Sequence, residues 1–309
     1  MLGVLLMSAA AAGAESRLRI TTGDAAVTVA DGERTVLVYR WSGVPFKPYA
    51  EQFLTPGGLN VLRDQVADHK HHHGLMYAVS ADGVGFWEET PRAGKQVHKS
   101  FSDATTSSRK SGEEDVACAS FTEHLEWTGP ADPKPLLRET RRIEVYAGAR
   151  GGASLLTWRT TLEAGEGRAE VKISGSHYYG LGMRFLKSMD KIGEHFTAKG
   201  KVDGPIVRGV ERLTPGTWCA YAAEAEGKPV TAVLFDHPDN ARKALWFTMH
   251  DPFAYLSAAL NLHVPQGQFA IKAGEPLKLC YGVAVADGKL RAEALEKLYK
   301  EWVELAGGK

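Results

Sequence analysis

In Asp68-His69-Lys70-His71-His72-His73-Gly74, four of the chain's eleven histidines fall within five residues, directly behind a carboxylate. Imidazole titrates near neutral pH, binds metals as the neutral ring and hydrogen-bonds through both nitrogens, so the run is equipped for acid–base or metal chemistry. The apolar stretch Leu75-Met76-Tyr77-Ala78-Val79 follows and reads as a strand. If the extended backbone begins at Asp68, His69, His71 and His73 share one face, with Asp68, Lys70 and His72 on the other. On that geometry His69/His71 or His71/His73 chelate a divalent ion together. His177 or a distant carboxylate would complete the shell and leave a position open for a sugar oxygen. The opposing reading binds the imidazoles only to backbone, carboxylates or substrate hydroxyls, either in catalysis or as a structural cluster.

Further polar and aromatic groups recur in a few segments. Asp82-Gly83-Val84-Gly85-Phe86-Trp87-Glu88-Glu89 follows the histidine segment and can bring Trp87 and Glu88 back over the same surface. The segment 175–184 supplies His177, Tyr179 and Arg184 near a glycine-permitted bend. Phe235-Asp236-His237-Pro238-Asp239-Asn240-Ala241-Arg242 ends a strand and turns at Pro-Asp-Asn, offering Asp236, His237, Asn240 and Arg242; a plain turn with a side-chain hydrogen bond explains it equally well. Trp246 to His250 and Asn261-Leu262-His263 are two further segments that can reach the same surface, although their single histidines are the kind that more often serve structure than ligands. Tyr and Trp faces beside Asp, Asn, His and Arg suit a carbohydrate, although any single aromatic is more often core. No G-x-G-x-x-G opens a helix, and the P-loop, G-x-S-x-G and H-E-x-x-H patterns are absent.

Short β-type runs must position these groups. Strands are expected at 17–22, 25–30 and 35–40, with turns at Gly23-Asp24 and Asp31-Gly32, and about a dozen more follow up to 285. Residues 90–115 are polar and read as an exposed excursion. One helix is expected over 290–305, where Leu290, Ala294, Leu295, Leu298, Trp302 and Leu305 form a single apolar stripe. The fold class is therefore all-β, a large antiparallel sandwich with one C-terminal helix and a single domain over 15–309. Residues 1–14 carry no charge and end in Ala12-Gly13-Ala14, the expectation being a signal peptide and a secreted or periplasmic protein beginning at Glu15. Cys118, Cys219 and Cys280 are far apart and read mainly as buried thiols. Lys plus Arg and Asp plus Glu both number 37, which argues against nucleic acid or an anionic membrane as partner. No later segment is apolar enough to span a bilayer, and a small-molecule or oligosaccharide ligand is the expected partner.

The motifs 68–75 and Gly83-Val84-Gly85-Phe86-Trp87 resemble those of the PmoA-like family of unknown function, often labelled "methane oxygenase PmoA". Lys47-Pro48-Tyr49, Thr55-Pro56-Gly57-Gly58, Gly180-Leu181-Gly182-Met183-Arg184 and Phe235-Asp236-His237-Pro238 match further elements of its pattern, across 17–302. Lys70 stands where the pattern has Pro, and Asn240-Ala241-Arg242 where it has Asn-Pro-Arg. The resemblance implies a galactose-mutarotase-like supersandwich and, by association, carbohydrate catabolism; a membrane-embedded methane oxygenase does not fit this chain. The expected function is a secreted carbohydrate-active lyase, hydrolase or epimerase acting on a sugar or oxidised glycoside. His71 and His72 would be acid–base or metal groups, Asp68 an orienting carboxylate, Glu88 or Asp236 the partner acid, and Arg184 an oxyanion clamp. Trp87, His177, Tyr179, His237, Asn240 and Arg242 would bind substrate. The alternatives are a non-catalytic carbohydrate-binding module and a structural envelope protein.

Overall fold

The structure is a computed structural model that describes residues 18–307 apart from Gln65, Asp68, Pro133 and Ala149, so the expected leader and Asp68 lie outside the described residues. β-branched and aromatic runs separated by glycine turns form antiparallel strands throughout. Strand makes up 56% and helix 8% of the fold, as the all-β expectation requires. The strands group into sheets of ten, nine and four. The two large sheets pack face to face: Tyr39 of the ten-stranded sheet lies 5.2 Å from Phe121 of the nine-stranded one, and Phe185 lies 5.0 Å from Tyr221. The first three expected strands appear at Leu18–Thr22, Ala26–Asp31 and Arg34–Arg40.

Alternation along single strands explains how the layers stack. In Leu277–Asp287, Leu279, Tyr281, Val283 and Val285 enter the core between the sheets, while Cys280, Ala284 and Ala286 join an outer cluster. Both faces are apolar because the helix Ala292–Gly307 covers the outside. Leu295, Leu298, Trp302, Leu305 and Ala306 form its buried stripe, while Ala294, expected in that stripe, is exposed. Gly282 is what admits Trp302: a Cβ there would lie 2.6 Å from its ring.

Residues 90–115 correct an expectation. Most of the segment is a seventeen-residue strand, Lys95–Ser111, at the edge of the nine-stranded sheet. Its polar, Thr- and Lys-bearing side chains are largely exposed, because an edge strand with charged groups satisfies its backbone on one side and discourages pairing on the other.

The histidine run is placed by the ten-stranded sheet, in which Leu75–Ala78, Gly180–Arg184, Tyr255–Ala259, Leu245–Met249 and Glu211–Pro215 are successive neighbours. Thr248 faces the gap beside His195 of the other large sheet, so Phe247 and Met249, which alternate with it, point to the opposite, outward face. In register with them on that face are Ser257, Tyr255, Gly182 and Arg184.

Candidate functional site

Residues 69–74 turn rather than extend, and His72 N–H donates to His69 O at 2.8 Å. The alternation expected for the histidines is therefore corrected. His69 and His72 stack at 4.8 Å, and His71 stands edge-on to His72 at 4.5 Å. His73 goes elsewhere: its Nδ1 is 2.6 Å from Asp64 Oδ1 and its Nε2 is 2.7 Å from Glu89 Oε1. Both ring nitrogens are thus taken by carboxylates, and the metal set His69, His71 and His73 is not assembled. Among the described residues no group of three His, Cys, Asp or Glu side chains is arranged to hold a metal ion.

His73 is instead the hub of a buried chain. Tyr49 donates to Asp64 at 2.7 Å and stacks on the His73 ring at 4.3 Å; Lys47 donates to Glu89 at 2.8 Å and to Trp87 O at 3.0 Å. Burial alone would lower the His73 pKa, but the hydrogen bonds its ring makes to the Asp64 and Glu89 carboxylates outweigh it and raise it. Burial likewise works to raise Glu89, and His73 and Lys47 overcome it and hold the carboxyl low. The hub fixes the backbone on both sides of Glu88, because Trp87 and Glu89 are each tied to Lys47.

His71 has the opposite environment. Its burial, followed by the charges of Lys47 and His69, pushes its pKa down to about 4. Glu88 Oε2 lies 3.2 Å from His71 Nδ1, and burial raises the Glu88 pKa. At neutral pH the His71 imidazole is neutral and stands at ion-pair distance from the Glu88 carboxyl, a pair able to pass a proton to or from a ligand. His72, buried beside His71, His69 and Arg184, is pushed down to about 2 and is neutral at any working pH.

A narrow cleft of ≈ 70 Å³ opens beside this pair, walled by His69, His72, Tyr178, Phe247, Phe253 and Tyr255, with Arg208 and Glu211 at its polar end. Two buried polar atoms of its walls, His72 Nδ1 and Tyr255 Oη, have no hydrogen-bond partner among the described residues. Tyr255 reaches its position because residue 182 is glycine, where a Cβ would lie 2.1 Å from the hydroxyl. Glu211 is fully engaged, receiving Arg208 Nη2 at 2.7 Å on one oxygen and lying 3.0 Å from His177 Nε2 on the other.

Of the expected site residues, His69 and His72 line the cleft; His71 and Glu88 flank His72, His177 stands behind Glu211, and Trp87 and Tyr179 back the wall at Tyr178. Trp87 is a buried support, stacked on Tyr179 at 4.9 Å, rather than a ligand platform. Arg184 is buried with its guanidinium 3.7 Å over the Phe253 ring, and so braces the cleft wall without lining it.

The 236–242 loop is not brought to the cleft, which corrects the roles expected for it. Asp236 ends a strand of the nine-stranded sheet and accepts from Asn240 Nδ2 at 2.7 Å and Ala244 N at 3.1 Å. Asn240 also clamps the backbone of Cys280, and His237 packs edge-on to Trp302. Arg242 lies over Phe269 and donates to Gly267 O at 2.5 Å, which fastens the 261–267 turn. Its own proline and Asp-Asn turn chemistry explains this loop. The segment 246–250 supplies Phe247 and Met249 to the cleft wall; the residues that sequence reading missed, Arg208, Glu211, Phe253 and Tyr255, carry no local motif, and only sheet order gathers them.

Among the described residues no helix is long and apolar enough to cross a membrane. No curated protein matches the chain. Among solved structures, an alpha-galactosidase from Lactobacillus brevis is similar with a TM-score of 0.50 at 4% identity, over 93% of this chain and 42% of that one. A GH36 alpha-galactosidase from Geobacillus stearothermophilus (TM-score 0.47, 10% identity, 88% of this chain and 41% of that one) and the galactosidase domain of an alpha-galactosidase-sucrose kinase (0.48, 10%, 92% and 42%) are similar in outline. The chain thus spans less than half the length of these enzymes, and at 4% identity the first likeness speaks for the β-sandwich fold alone. Residues 26–300 match the model of the family of unknown function DUF6807, and the chain belongs to that family.

Proposed function

We propose that a sugar unit lies across the mouth of the cleft with only part of its ring inside, and that His71 and Glu88, which flank the cleft without lining it, move a proton on it, as in an epimerase or a lyase. The observation that carries this reading is the pair of unsatisfied buried atoms, His72 Nδ1 and Tyr255 Oη, set in an aromatic wall beside a neutral imidazole–carboxylate pair. Unpaired buried polar groups cost about 1–3 kcal/mol each, and ligand hydroxyls would recover that. Aromatic faces at Tyr178 and Phe247 suit the apolar face of a pyranose. Two-carboxylate hydrolysis is supported less well, because both Glu211 oxygens are already committed to Arg208 and His177. The sandwich shared with galactosidases and the PmoA-like resemblance both lean towards carbohydrate, by association only.

The test follows proton exchange from solvent. Aldoses, hexuronates and oxidised glycosides are incubated with the protein in deuterated water, and loss of a C–H signal is followed by proton NMR. Exchange should occur with the wild type and fall about 100-fold or more in His71→Ala and Glu88→Gln. Saturable sugar binding with no exchange in the wild type would leave a carbohydrate-binding module and overturn the acid–base assignment.

A further inference from the structure

The 236–242 loop, left over from the first site, lines a second cleft of ≈ 610 Å³ on the outer face of the nine-stranded sheet, beside the end of the helix. Three arginines from neighbouring strands converge there on one buried carboxylate. Glu144 is 1% exposed and accepts from Arg109 Nη2 at 2.5 Å, Arg142 Nε at 3.4 Å and Arg159 Nε at 3.0 Å. Arg159 also donates to Ala306 O and so ties the cleft to the helix end. Lys278 adds a fourth cation to the lining, and its Nζ has no hydrogen-bond or ion-pair partner among the described residues. Among the described lining residues, the carboxylates set against these four cations are Glu144 and Asp239, whose side chain is 90% exposed.

The remaining donors are open. Arg109 Nε and Nη1 and Arg159 Nη1 make no hydrogen bond among the described residues, so planar guanidinium edges are left over once Glu144 is satisfied. His237 contributes no charge: its Nδ1 accepts from Asp239 N–H at 3.1 Å, which puts the proton on Nε2, and burial lowers its pKa. A local surplus of two positive charges, in a chain whose formal net charge is zero overall, matches a dianion. A phosphate monoester carries about −1.5 to −2 at neutral pH, a sulfate ester only one charge. The volume exceeds that of bare phosphate and falls within the range of small organic ligand sites.

We propose that this cleft is a second binding site, for the phosphate group of a small organic phosphate monoester, with Arg109, Arg159 and Lys278 as its donors. It does not depend on the sugar cleft, which lies on the other sheet.

Calorimetric titration of the full chain at low ionic strength tests it with phenyl phosphate, phenyl sulfate and inorganic phosphate. Phenyl phosphate should bind saturably, at least ten-fold tighter than phenyl sulfate and more tightly than inorganic phosphate. Arg109→Gln and Lys278→Gln should each weaken it by about ten-fold, the loss expected for one charged hydrogen bond. Lys278 is exposed and unpartnered, so Lys278→Gln should keep the wild-type melting temperature and report binding alone. His71→Ala should bind phenyl phosphate normally, which separates this site from the first. No saturable binding, or an affinity unchanged in Lys278→Gln, would overturn the site; equal affinity for phenyl sulfate would overturn the dianion assignment.

Discussion

Replacing His73 with Asn should destabilise the protein in a pH-dependent way. The wild-type ring is 2% exposed, stacked on Tyr49, and bonded through both nitrogens to Asp64 and Glu89. Asn removes the cation and leaves two half-buried carboxylates with Lys47 as their nearest positive charge. Losing one partner of a buried ionic cluster costs about 3–5 kcal/mol. For a chain this size that is a fall in melting temperature of about 5–8 °C. The pH dependence follows from linkage. The His73 pKa is raised, so its stabilisation is fully present below the ordinary 6.5 and is lost as pH rises through the folded value. The Glu89 pKa is depressed, so its stabilisation is present above the ordinary 4.5 and is lost as pH falls through the folded value. The wild-type advantage should therefore be greatest between these two ordinary values and shrink on the alkaline side, by about 1.4 kcal/mol for each unit by which the His73 pKa is raised. Acid destabilisation from the neutral, buried His71 and His72 is common to both proteins and cancels in the difference. Urea unfolding of the two proteins, followed by tryptophan fluorescence across about pH 5 to 9, measures it. A penalty below about 1 kcal/mol, or a gap that stays flat as pH rises, would refute the ionic hub.

Two further substitutions probe what positions the cleft and what closes the sandwich. Gly182→Ala should push Tyr255 out of place, since the added Cβ would sit 2.1 Å from its hydroxyl; it should weaken ligand binding at the cleft at least ten-fold, and unchanged affinity would show that Tyr255 does not contact the ligand. Trp302→Ala should cost about 3–5 kcal/mol and raise amide exchange throughout 292–307, because the ring fills the space above Gly282 and its Nε1–H donates to Thr157. Exchange that rises no more there than elsewhere would show that the other buried side chains hold the helix without it.

The fold class was legible in the residues because its signals are local. Asp82 and Gly83, both at positive φ, reverse the chain between Ser80–Ala81 and Val84–Gly85 as an Asp-Gly pair should, and the apolar stripe from Leu295 to Leu305 names a helix without reference to anything else. The importance of residues 69–73 was legible too, because no other stretch concentrates so many imidazoles. Their arrangement was not. Whether the run extends or turns depends on Asp64 and Glu89 drawing His73 away from His71 and His72, a competition between ion pairs and strand alternation that no spacing rule contains. The cleft wall was equally hidden. Glu211 and Tyr255 lie more than a hundred residues beyond the histidines and meet them only because their strands follow Gly180–Arg184 in the sheet. The same sheet order decided against Asp236, whose loop has the right chemistry but ends a strand of the other sheet. Local propensity acts over a few residues, whereas strand pairing is settled by which apolar faces can be buried together, and that is decided only when the whole chain has folded.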